Sequence, residues 1–144
     1  MASITPRRRL DSEAKVREPV IWMPGGDAAG SPREGLGVAG RSFAIHEWRD
    51  SGPRSLHVHH DDDEAWHVLE GTLRFRFADR TVEVGAGGTV FVPAGVPHTY
   101  EAIDARYLLV IPPRIEALIR ELRRGPEKGD LPRIYRAYAS EILE

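Results

Sequence analysis

Leu73, Phe75 and Phe77 alternate with Arg74 and Arg76 directly after Gly71. Apolar residues at every second position share one face of a strand and scatter around a helix. The segment is therefore read as a half-buried strand, with phenylalanines in a core and arginines in water. Asp79-Arg80 turns the chain, and Thr81–Val84 returns it as the second arm of a hairpin. Short β-branched and aromatic runs separated by Gly and Pro recur along the sequence. Fourteen glycines and eleven prolines in 144 residues, spaced in this way, predict an all-β fold.

Residues 1–18 are polar, include Arg7-Arg8-Arg9, and are expected to be a mobile arm. Pro19–Trp22 is a candidate first strand, broken by Pro24-Gly25-Gly26. Residues 25–40 read as loop with room for one short strand. Arg41–Trp48 alternates, with Phe43, Ile45 and Glu47 on one face and Ala44, His46 and Trp48 on the other. His46 has no partner in its own segment and is read as structural. Thr89–Val92, His98–Tyr100 and Tyr107–Ile111 are further strands. The period then changes: Ile115, Leu118, Ile119 and Leu122 make an amphipathic helix opened by Pro112-Pro113 and closed near Gly125. Asp130 is a candidate cap for a second helix carrying Ile134, Tyr138 and Ile142 on one face. The expectation is about eight short strands followed by two helices.

One run stands apart chemically. His57 and His59 are two residues apart, so a strand points both imidazoles to one side. Glu64 follows after a stretch long enough for a tight turn, with Trp66 and Val68 on its face. His67 then points away, and Gly71 is expected to end the strand. Two imidazoles and a carboxylate form three sides of a metal site, although a lone His-x-His is also an ordinary surface pair. Asp61-Asp62-Asp63 reads as a solvated turn. A second segment changes the weight of the first: Pro93-Ala94-Gly95-Val96-Pro97 is a rigid corner that delivers His98.

Together the segments read His-x-His-x4-Glu-x6-Gly and Gly-x5-Pro-x-Gly-x2-His, with fifteen residues between Gly71 and Gly87. This pairing resembles the two motifs of the cupin superfamily. The resemblance covers roughly residues 35–112. It implies a double-stranded β-helix, or jelly-roll, barrel with C-terminal α-helices over residues 113–144, all in one domain spanning 1–144. It also implies that His57, His59, Glu64 and His98 hold one divalent metal ion per chain. His60 and Asp63 are the next candidates. Trp66, Tyr100 and Phe43 are expected to wall the substrate pocket. Two departures from the family pattern are visible. Gly52 precedes the first histidine by four intervening residues rather than five, and Ala102 stands where family members often carry Asn.

Three imidazoles and a carboxylate suit iron, manganese, nickel, cobalt, copper or zinc. With no cysteine in the chain, a thiolate site is excluded. The resemblance implies a metal-dependent oxidoreductase, dioxygenase-like, acting on a small aromatic or enolic substrate. A non-redox isomerase or cyclase is the alternative, and a small-molecule-binding module without turnover is the third reading. A net charge of −2 gives no positive field for nucleic acid. No apolar run approaches the ~20 residues that span a membrane, and without an apolar leader a cytoplasmic protein is expected. An exposed sheet edge near the N-terminus suggests a homodimer, with part of residues 15–40 on the partner.

Overall fold

A computed structural model of the protein describes residues 16–22 and 36–144. The Arg7–Arg9 cluster, the Pro24–Gly26 break and most of the segment expected to meet a partner subunit lie outside the described residues. The strands are β1 (Leu36–Ala39), β2 (Ala44–Trp48), β3 (His57–His59), β4 (Glu64–Phe77), β5 (Thr81–Gly85), β6 (Thr89–Val92) and β7 (His98–Ile111). Helix α1 (Pro113–Leu122) follows, then a 3-10 turn at Lys128–Asp130, helix α2 (Leu131–Ala137) and strand β8 (Ser140–Ile142). Strands pair antiparallel in an eight-stranded sheet, with β1-β2-β7-β3-β8 along one path and β4 joined to β5, β6 and β7. The architecture is a jelly-roll barrel with two short helices. No helix among the described residues is long and apolar enough to cross a membrane.

The axis of the barrel is the β4–β7 ribbon, two fourteen-residue strands paired from Ala65↔Val110 to Phe77↔His98. Gly71 does not end a strand, as its turn-like character predicts. It lies inside β4 with φ of 74°, and the register slips between Val68 and Thr72. The inward positions change parity there. Glu64, Trp66 and Val68 are buried before the slip, and Leu73 and Phe75 after it. Opposite Gly71, Asp104 has φ of 48°, and β7 changes parity too. Tyr100 and Ala102 pack on the core before Asp104; Ala105, Tyr107, Leu109 and Ile111 are buried after it. A Cβ on residue 71 would lie 2.0 Å from the Asp104 carbonyl oxygen, so only glycine lets the two bulges face each other.

Those bulges explain how a long ribbon builds a compact site. Thirteen steps of extended chain cover about 43 Å. Yet Glu64, at one end of β4, touches His98, the pairing partner of Phe77 at the other end. The ribbon is bent back on itself, and bulged strands bend.

Several local expectations are corrected. Pro19–Trp22 has no strand. The strand expected at His98–Tyr100 and that at Tyr107–Ile111 are one continuous β7. Asp130 makes no side-chain cap and instead lies 3.6 Å from Arg133. Ile142 belongs not to the second helix but to β8, which pairs with β3 through His57↔Ile142, Val58↔Glu141 and His59↔Ser140. Seven strands, two helices and a last strand is the observed order.

Candidate metal centre

The turn between β3 and β4 brings Glu64 back beside the histidines, and Asp63 fixes that turn by accepting the Ala94 N–H at 2.9 Å. The Pro93–Pro97 corner is tied to the same place: Gly95, at φ of 89°, donates its N–H to the His59 carbonyl at 2.8 Å. His98 then opens β7 opposite His57. The three imidazoles are buried, with ring centroids 4.6 Å apart for His57–His98, 5.1 Å for His57–His59 and 5.5 Å for His59–His98. Their ligand nitrogens all lie within 4.8 Å of one another, so the trio could hold a metal ion.

The tautomers are set by the surroundings. His57 Nδ1 lies 3.1 Å from the Ser55 carbonyl, and His98 Nδ1 lies 2.9 Å from the Val96 carbonyl. Carbonyls only accept, so both Nδ1 atoms carry the proton. His59 Nδ1 lies 2.7 Å from the Ser140 hydroxyl, which donates onward to the Tyr138 carbonyl at 3.0 Å. That hydroxyl has one proton and therefore accepts from His59. All three rings thus keep Nε2 as a bare lone pair. Glu64 Oε1 lies 3.2 Å from Nε2 of both His59 and His98.

Lone pairs facing a carboxylate at that distance repel unless a cation lies between them. Burial works to raise the Glu64 pKa, but hydrogen bonding and charge at His59 and His98, once these are protonated, hold it down to about 2. His57 goes the other way. Burial first, then the neighbouring His98 and His59, lowers it from 6.5 to about 4. Burial thus favours a neutral His57 beside a carboxylate held anionic, and a divalent ion fits a donor set of three imidazoles and that carboxylate.

Beside the centre opens a cavity of about 360 Å³. His57, His59 and Glu64 make its floor, and Trp48, Tyr100 and Tyr107 one wall. Ile115, Leu118, Ile119 and Leu122 roof it, so the apolar face of α1 covers the site rather than only closing a core. Burial raises Tyr100 and Tyr135 to about 12 and raises Tyr107 as well. Tyr107 donates to the Asp50 carbonyl, so the Tyr100–Tyr107 contact of 2.8 Å has Tyr100 as donor. At the rim, Arg123 stacks 3.8 Å over Trp48 and reaches Asp50 at 3.2 Å.

The other expected residues sort as follows. Trp66 is buried edge-on to His98 and Tyr100, at 5.6 and 5.4 Å, behind the cavity rather than on its surface. Phe43 is 55% exposed and lies off this cavity, in a separate pocket that it lines with Asp61, Asp62, Asp63 and Glu64. Its parity already puts it opposite Trp48. His60 is exposed beside Glu141, and His67 points outward to Thr89. His46 is buried 3.1 Å from Glu116, joining β2 to α1. Gly52, where the family spacing departs, sits so close to the Tyr100 ring that a Cβ would meet it at 2.5 Å. At the other departure, the Ala102 N–H is taken by Ser51 Oγ at 2.9 Å. Sequence reasoning missed Tyr135, edge-on to His57 at 5.9 Å, and Ser140; neither carries a local signal.

Residues 47–111 match the family model of the cupin domain. An uncharacterised protein of Streptomyces coelicolor is 35% identical over 66 residues, which are 44% of this chain and 63% of that protein. The chain thus spans less than two thirds of that curated relative's length. Among solved structures, a polyketide cyclase from Streptomyces resistomycificus is 32% identical over 49% of this chain and 54% of its own, with a TM-score of 0.41. A cupin-2 domain containing protein from Shewanella frigidimarina is 29% identical over 56% and 78%, with a TM-score of 0.43. Oxalate decarboxylase from Bacillus subtilis is 26% identical over 50% and 21%, with a TM-score of 0.41. The family match over residues 47–111, a little under half of the chain, and the jelly-roll fold around it support a cupin domain in this stretch.

Proposed function

We propose that the protein is a metal-dependent enzyme of oxidoreductase type, dioxygenase-like, acting on a small, largely apolar aromatic or enolic substrate. The observation that carries this reading is the convergence of three buried imidazoles, their ligand nitrogens within 4.8 Å of one another, with the Glu64 carboxylate against two of them. In it, His57, His59, His98 and Glu64 are the ligands of one divalent ion. The ion supplies Lewis acidity and, if it is iron, manganese or copper, a redox couple.

The remaining residues divide the other tasks. The Trp48, Tyr100 and Tyr107 wall and the aliphatic α1 roof exclude water and receive an apolar body. The cavity opens onto the ligand floor, so an oxygen of the substrate has a path to the centre. A proton-transfer enzyme needs a poised base in the cavity. The tyrosines stay protonated at neutral pH, and Asp50 is paired with Arg123 at the rim. Among the described residues lining the cavity, this leaves no free base beside the ligand set, which supports redox over isomerase or cyclase chemistry.

The test is elemental analysis of the purified protein, followed by oxygen uptake against a panel of catechols, flavonols and enols. Close to one ion per chain and oxygen uptake with at least one substrate are expected. Protein that carries no metal and takes none up refutes the centre. Loaded protein that isomerises or cyclises substrates without consuming oxygen refutes the oxidoreductase reading.

A further inference from the structure

Two of the three histidines ride on β3, which is only three residues long. On one side β3 pairs with β7 at a single position, His57↔His98. On the other it pairs with β8 at all three. Backbone bonds extend that grip in both directions, from His60 N–H to the Ala139 carbonyl and from Leu143 N–H to the Leu56 carbonyl, each 2.8 Å. The strand that presents the histidines is therefore held mainly by the C-terminal strand, which lies outside the matched residues 47–111.

The chemistry follows the same division. The His57 and His98 tautomers are fixed by carbonyls of Ser55 and Val96, both within the matched region. The His59 tautomer is fixed by Ser140, on β8. Ser140 is 1% exposed, so no water competes for the contact. Its hydroxyl is oriented by the Tyr138 carbonyl at 3.0 Å, across Ala139, whose φ of 54° is unusual for a residue with a side chain. Without an acceptor at Nδ1, the His59 proton has an alternative position at Nε2, where the Glu64 carboxylate 3.2 Å away accepts it. That tautomer closes the face meant for an ion.

We propose that Ser140 is a positioning residue of the metal centre, holding His59 in the Nδ1-protonated tautomer that offers Nε2 to the ion. The C-terminal strand in this chain completes a centre that the matched region alone leaves with one unanchored histidine. The proposal rests on the metal-ligand reading above, but its first measurement does not.

That measurement is the ring ¹⁵N chemical shifts of His59 in the full-length, metal-free protein. Wild type is expected to show a protonated Nδ1 and a bare Nε2. Ser140→Ala is expected to lose that single tautomer, with Nε2 protonated in a substantial fraction. Ser140→Thr, which keeps the hydroxyl, is expected to restore it. The second measurement is zinc affinity by calorimetric titration. Outer partners of metal-binding histidines are worth about 10–100-fold in affinity, so Ser140→Ala is expected to fall in that range and Ser140→Thr to stay near wild type. If Ser140→Ala does not fold, Ser140→Cys takes its place, being of similar size and a poor acceptor. An unchanged tautomer, or unchanged zinc affinity in a folded Ser140→Ala or Ser140→Cys, overturns the proposal, even where melting temperature falls. Wild type that binds no zinc while its His59 tautomer depends on Ser140 refutes the metal reading instead.

Discussion

Glu64→Gln is expected to change metal-free and metal-loaded stability in opposite directions. In the metal-free protein Glu64 Oε1 sits 3.2 Å from two ring nitrogens that carry lone pairs. Glutamine keeps the volume, removes a buried charge and supplies an N–H that donates to one of them. A net hydrogen bond contributes about 1 kcal/mol, which for a chain of this size raises melting by about 4 °C. Metal reverses the order. Losing an outer partner of a metal ligand costs about 10–100-fold, and exchanging an anionic ligand for a neutral one costs at least as much. With free zinc at 100 times the wild-type Kd, wild type gains about 2.7 kcal/mol, whereas a hundredfold weaker variant gains about 0.4 kcal/mol. The zinc-induced rise in melting temperature should therefore be smaller in Glu64→Gln by about 9 °C. The assay is a set of four melts, each protein with and without zinc at a fixed free concentration. Equal zinc-induced shifts refute Glu64 as a ligand and leave a three-histidine site. A metal-free variant that melts well below wild type refutes the tautomer assignment.

Two further outcomes are expected. The His57 pKa falls from 6.5 to about 4 on folding, so the unfolded chain binds the extra proton between those values, and stability present above pH 6.5 is lost as pH falls towards 4, by about 3 kcal/mol. Urea midpoints of metal-free protein that stay flat from pH 7 to pH 4.5 contradict this. Gly71→Ala places a side chain at φ of 74° against the Asp104 carbonyl; the left-handed backbone alone costs about 1–2 kcal/mol, and a straightened ribbon carries Glu64 away from His98. Lower stability together with weaker zinc binding is expected, and a Gly71→Ala variant matching wild type in both refutes the bulge as the bend that builds the site.

Much of the barrel is legible because its elements announce themselves locally. Leu73, Phe75 and Phe77 alternate within a single strand, and the Ile115–Leu122 stripe has a helical period. What fails is continuity. Glycine within a strand pattern reads as an end, yet Gly71 is a bulge, because the Asp104 bulge that opposes it is 33 residues away in sequence. Ile134, Tyr138 and Ile142 keep a spacing of four that suits a helix, but Ile142 is claimed by pairing with His57. Strand pairing is a long-range contest that local propensity does not decide.

The site divides along the same line. His57, His59 and Glu64 fall within eight residues, so one turn and the two-residue period bring them together, and the Pro93–Pro97 corner aims His98. Each of those placements is a local problem. Tyr135 reaches the centre only after the chain has crossed the cavity as α1 and turned into α2, and Ser140 only after it has come back as β8. Nothing in their neighbourhood marks them: Ser140 opens a strand of only three residues, and Tyr135 lies outside the Ile134, Tyr138 and Ile142 pattern. Their roles arise because a three-residue strand cannot hold two buried imidazoles by itself. Its free edge needs a partner, and the strand that supplies it also presents a hydroxyl to His59. The residues that bind an ion can be recognised from their spacing, whereas the residue that sets which nitrogen is offered depends on which strand takes the remaining edge.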